Sequence, residues 1–98
     1  MRHTLGVRFE WDTRKNELLK ESRNISFEII ALHLERGDLW RIGPQPKQDR
    51  YPHQQIFYVI IDDYIYSVPF EQRGDVIWLV TIFPSRKATG EYLKEKER

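Results

Sequence analysis

The chain has no cysteine among its 98 residues. That excludes a disulfide framework and every thiolate metal site, and it suits a reducing compartment. No apolar run approaches the roughly 20 residues that span a bilayer. The basic start, Met1-Arg2-His3, is not followed by the apolar core of a signal peptide. A cytoplasmic protein that does not enter the membrane is therefore expected. Also missing are a Gly-rich phosphate loop and a G-x-S-x-G elbow, and His3, His33 and His53 lack the spacing of a helical zinc pair. No metal or other cofactor is expected. Excess charge is lacking too: the formal net charge is +1, so affinity for a nucleic acid would have to come from a local cluster of Lys and Arg.

What is present suffices for one domain covering residues 1–98. Hydrophobic residues make up 40% and aromatics 13% of the chain, too much for disorder, while 32% charged residues imply a heavily ionic surface. At this length the core is real but modest.

Periodicity gives the element order. Val7 to Trp11 alternates apolar and charged residues, the pattern of a strand with one buried face, and Asp12 is placed to cap a helix over Thr13 to Arg23. Ser22-Arg23-Asn24 ends that helix. Ser26 caps a second, on which Phe27, Ile30 and Leu34 share a face, and Gly37 stops it. Asp38 to His53, broken by Gly43, Pro44, Pro46 and Pro52, reads as a long loop with a short strand near Leu39 to Ile42. Ile56 to Ile61 and Tyr64 to Phe70 form a hairpin about Asp62-Asp63, and adjacent aspartates suit such a turn better than a cation site. After a loop at Glu71 to Asp75, Val76 to Phe83 is a third strand. From Ser85 the chain turns helical, with Ala88, Tyr92 and Leu93 facing the core and a frayed Lys/Glu tail beyond. The expected fold is α+β, in the order β-α-α-β-β-β-α, with helices on a mostly antiparallel meander.

Two cations, Arg86 and Lys87, open the last helix against its macrodipole, whose N-terminus favours anions. Local stability does not account for them. With Arg41, Lys47, Arg50, Tyr51, His53 and Tyr92 they make a basic and aromatic set that could bind a phosphate backbone. Metal-free RNA cleavage needs a base for the 2′-hydroxyl, a cation for the phosphorane and an acid for the 5′-oxygen, roles open to His, Glu, Arg, Lys and Tyr. Whether the loop residues meet Arg86 and Lys87 depends on the long loop folding across the sheet. Tyr58, Tyr64, Tyr66 and Trp78 are expected in the core, although strand aromatics also stack bases in some RNA-binding sheets, with Trp11 and Trp40 as packing anchors and His33 partly buried or facing a partner.

Four segments, in this order, resemble the BrnT family of bacterial type II toxins. They are Phe9-Glu10-Trp11-Asp12 with Lys15-Asn16, Ile25-Ser26-Phe27-Glu28, Arg73-Gly74-Asp75 and Arg86-Lys87-Ala88-Thr89. The resemblance implies a RelE-like fold and a metal-independent endoribonuclease that inhibits translation, held in a hetero-oligomer by a cognate DNA-binding antitoxin. For that activity the candidates are Arg86, Arg50, His53 and Tyr92 as catalytic residues and Lys87, Lys47, Arg41 and Arg73 as RNA-binding ones, and of these only Arg73, Arg86 and Lys87 fall in the matching segments. The chain also departs from the family: Ser22-Arg23-Asn24 replaces a usual Lys-His-Gly, Thr81 or an apolar neighbour stands where a second arginine is common, and Tyr51 to Gln55 looks inserted. The other functions weighed are a noncatalytic protein- or RNA-binding module on the same fold and a ParE-like toxin acting on DNA gyrase.

Overall fold

The computed structural model describes residues 8–97. Val7, expected to begin the first strand, and His3 lie outside them. The elements are β1 (Arg8–Trp11), α1 (Thr13–Arg23), α2 (Phe27–Glu35), β2 (Leu39–Pro44), β3 (Gln54–Ile61), β4 (Tyr64–Arg73), β5 (Val76–Leu79), β6 (Phe83–Pro84) and α3 (Arg86–Lys96). The six-stranded sheet has the order β1-β5-β4-β3-β2, with β6 paired to β4. It is mixed, because β1 runs parallel to β5 while the other pairs are antiparallel.

Local chemistry sets the helix bounds. The Asp12 carboxylate accepts the Lys15 amide at 2.9 Å, and α1 ends on Asn24 in the left-handed region at φ 55°. Ser26 Oγ accepts the Ile29 amide at 3.2 Å to open α2, and Gly37 at φ 88° turns the chain out of it. Asp62 and Asp63, at φ 52° and 60°, make the tight β3–β4 turn.

Strand alternation separates the two faces of the sheet. Phe57 and Val59 on β3, Val68 and Phe70 on β4, and Ile77 and Leu79 on β5 pack with Leu19, Phe27 and Ile30 of α1 and α2. Phe9 and Trp11 extend that layer because their register partners are Ile77 and Leu79, and Trp11 stacks on Phe27 at 5.7 Å. Asn16, buried in α1, donates to Glu28 at 2.8 Å and accepts the Phe27 amide at 2.8 Å, so it joins the two helices at the start of α2.

The opposite face carries Ile56, Tyr58, Ser67 and Pro69, and α3 lies against it. Thr89 and Ala88 are its buried residues. Two expectations about α3 are corrected. Leu93 is exposed, while Tyr92 is half-buried. The charged tail is helical through Lys96, because Lys96 reaches Asp63 at 2.8 Å and Glu95 reaches Arg41 at 2.8 Å and the Trp40 indole at 3.0 Å. The loop expected over Asp38 to His53 is also shorter, since β2 is a full six-residue edge strand. No helix of the described residues is long and apolar enough to cross a membrane.

Candidate functional site

Two adjoining hollows occupy the face of the sheet that α1 and α2 leave uncovered. The larger, of about 430 Å³, is walled by Gln54, Ile56, Tyr58, Ser67 and Pro69 from the sheet, by Gln45, Lys47 and Tyr51 from the β2–β3 connection, and by Val80, Thr81 and Phe83 beyond β5. The smaller, of about 290 Å³, lies between β2 and α3 and is lined by Trp40, Arg41, Gly43, Tyr58, Ser67, Ser85, Lys87, Ala88 and Glu91 among others. Tyr58 and Ser67 belong to both and form the wall between them.

Two irregularities in strand pairing build these hollows. Leu39 pairs with Val59, but Arg41 pairs with Tyr58, so Trp40 is an extra residue in β2. A regular ladder would set Arg41 opposite Phe57 on the helix-covered face; the bulge moves it to the open face. On the other side of the sheet Leu79 pairs with Phe70 and Phe83 with Ser67, so four residues of one strand pass three of β4. The single strand expected over Val76 to Phe83 is therefore broken, and the break turns Phe83 from the covered face into the larger hollow. Arg23 braces the break by donating to the Ile82 carbonyl at 2.6 Å, its guanidinium 5.8 Å from the Phe83 ring.

Gly43 permits the close approach of Tyr58. A Cβ on residue 43 would stand 3.1 Å from Tyr58 Cε2, so only glycine leaves the ring its full freedom over β2. The edge of Trp40 meets Tyr58 at 6.2 Å and Tyr92 at 6.1 Å between ring centroids, and the Arg41 guanidinium covers Trp40 at 3.6 Å. Trp40 is thus an anchor, as expected, but for the α3 side of the sheet.

The structure divides the expected site residues. Arg41 and Lys87 line the same hollow, and Lys47 lines the neighbouring one. Lys47 also shares a shallow outer depression with Arg50. The long connection does fold across: Lys47 and Tyr51 stand in one hollow with Thr81 and Phe83. Arg86 is exposed and lines neither hollow, nor do Arg50 and His53. The Tyr92 hydroxyl donates to Asp63 at 3.2 Å, alongside Lys96. Arg73 pairs with Glu71 at 2.8 Å and covers Trp78 at 4.7 Å, farther along the same face.

Electrostatics follow these contacts. The hydrogen bond from Arg73 holds the Glu71 carboxyl below its ordinary pKa against the effect of burial, with His53 adding a small attraction. Lys96 holds Asp63 below its ordinary value by hydrogen bond and charge, and is itself raised by Asp63. Arg41 is not idle either, since Glu95 pairs with it at 2.8 Å where both side chains are about half-exposed.

Tyr58, Ser67, Phe83 and Glu91 were not singled out from sequence as site residues. Alternation offered a signal for the first, because Tyr58 is out of phase with Phe57 and Val59. The uniformly apolar run Ile56 to Ile61 concealed it. Among the described residues, no three of His, Cys, Asp and Glu gather as a metal-binding group. Comparisons with protein-family models, with curated proteins and with solved structures gave no match.

Proposed function

We propose that the protein is a metal-independent endoribonuclease of the toxin kind whose single-stranded RNA substrate lies across the two hollows. The observation that carries this reading is the wall shared through Tyr58 and Ser67, with an aromatic hollow on one side and a cation-lined one on the other. Bases need the first kind of surface and phosphates the second. In the reaction, a base takes the 2′-hydroxyl proton and the oxygen attacks phosphorus. The bond to the 5′-oxygen breaks as that oxygen gains a proton, leaving a 2′,3′-cyclic phosphate and a free 5′-hydroxyl. Lys87 and Arg41 offset the charge that builds on the phosphorane. Glu91, lining the same hollow, is the carboxylate available to take the proton.

A noncatalytic RNA-binding module is the second reading. It is favoured by the dispersal of Arg86, Arg50 and His53 outside both hollows and by the bond of Tyr92 to Asp63. A cognate antitoxin belongs to the toxin reading, and the exposed Leu18, Ile29 and Leu32 of α1 and α2 are apolar surface that a partner could bury.

End-labelled single-stranded RNA incubated with the purified protein in excess chelator separates these readings. Cleavage to cyclic-phosphate ends, lost in Lys87→Ala and Glu91→Gln, supports the nuclease. Binding without cleavage supports the module, and failure to bind removes both.

A further inference from the structure

We infer that the larger hollow is a pocket for a single nucleobase, gripped by the rings of Tyr51 and Phe83 and read by the carboxamide of Gln54. The inference rests on the RNA reading above and names what that face of the sheet would recognise.

Its walls suit a flat, polar-edged ring better than an aliphatic side chain. Ile56 and Pro69 are buried in the sheet, whereas Tyr51 is 40% and Phe83 42% exposed. Rings left open beside an apolar floor are what base stacking uses, and every base has a π-face to offer them. The hollow's volume, about 430 Å³, falls within the range of small-ligand sites.

A hydrogen-bonding group on the wall is held in a set orientation. Gln45 is buried at 9% exposure, its Oε1 accepting the Lys47 amide at 3.1 Å and its Nε2 donating to Gln54 Oε1 at 3.0 Å. This holds the Gln54 amide oxygen toward Gln45. Gln54 Nε2 then has only a 3.5 Å contact with Glu71, at the limit of a hydrogen bond, so an acceptor on a base edge can compete for that proton.

The charge around the hollow places the rest of the nucleotide. Lys47 stands on its wall, and Arg41 and Lys87 lie across the Tyr58 and Ser67 wall, where a flanking phosphate would sit. Two of the groups given a role here, the Tyr51 ring and the Gln54 carboxamide, come from the short segment Tyr51 to Gln55.

The test measures equilibrium binding of fluorescent RNA hexamers, intact or with abasic central positions, to the whole protein, Tyr51→Ala and Phe83→Ala. Circular dichroism checks that each variant is folded. Intact RNA should bind the wild-type protein about tenfold more tightly than abasic RNA, and each variant should lose about that factor on intact RNA alone. Equal wild-type affinity for intact and abasic RNA, or variants weakened equally toward both, overturns the pocket and leaves phosphate binding in place. Binding of neither RNA by the wild-type protein overturns the pocket together with the RNA reading.

Discussion

The backbone amide of Ile65 donates to Thr89 Oγ1 at 2.9 Å, joining the middle of the sheet to the first turns of α3. The same hydroxyl donates to the Ser85 carbonyl at 2.7 Å, and the Ser85 amide returns to the Ile65 carbonyl at 2.9 Å. Both backbone groups of Ile65 are therefore satisfied from the segment that begins α3. Within Arg86-Lys87-Ala88-Thr89, Ala88 and Thr89 are buried in the docking contact while Arg86 and Lys87 are exposed.

Thr89→Val keeps the shape but removes the acceptor, leaving a buried amide unpaired. The expected cost is about 1–3 kcal/mol in urea unfolding. A midpoint unchanged from wild type would show that α3 docks by other means.

Much of the architecture could be read from local chemistry, because it depends on neighbours in sequence. Asp12, Ser26, Asn24 and Gly37 act within a few residues of themselves, and each does what its side chain or backbone freedom suggests. What could not be read depends on strand register. The bulges at Trp40 and between Leu79 and Phe83 leave no mark in composition, yet they decide that Arg41 and Phe83 face the open side of the sheet. The parallel pairing of β1 with β5 is equally nonlocal. Arg86 stood out in the sequence because of the helix dipole, but that argument concerns the direction of a helix and says nothing of which hollow a side chain lines.

Asn16 links α1 to α2 through the Phe27 amide and the Glu28 carboxylate. Its hydrogen bond is the largest influence holding Glu28 below the ordinary glutamate pKa. A carboxyl depressed in the folded state contributes stability above its unfolded pKa, and that contribution is lost as pH falls through the folded value. Asn16→Ala should lower stability at neutral pH by about 1–3 kcal/mol, since the Phe27 amide loses its partner. It should also flatten the acid side of the stability profile. Urea titrations from pH 7 down to 3 measure both, and an unchanged acid slope would remove Asn16 as the cause of the Glu28 shift.

Gly43→Ala tests the wall between the hollows. The added Cβ would meet Tyr58 Cε2 at 3.1 Å, and the ring must give way by a few tenths of an ångström. Stability should change little, by about 1 kcal/mol or less, because Gly43 lies on the edge strand β2 and is only partly buried. RNA binding should weaken severalfold as Tyr58 moves. Unaltered RNA affinity, with shifted Tyr58 ring signals in the NMR spectrum, would mean that Tyr58 does not take part in binding.

On the RNA reading proposed above, Glu95 and a backbone phosphate would compete for the Arg41 guanidinium. In the free protein the Arg41 guanidinium is paired with Glu95 at 2.8 Å while it lines the hollow beside Lys87. A phosphate entering the hollow must take Arg41 from that carboxylate. Glu95→Gln removes the rival charge but keeps an acceptor for the Trp40 indole, which Glu95 also receives at 3.0 Å. RNA affinity should therefore rise severalfold at low salt, and the effect should shrink as ionic strength screens both partners. Arg41→Ala should do the reverse and reduce the slope of log K against log salt by about one ion. If Glu95→Gln binds RNA no better than wild type at any salt concentration, Arg41 is a brace for α3 and the phosphate site belongs to Lys87 and Lys47.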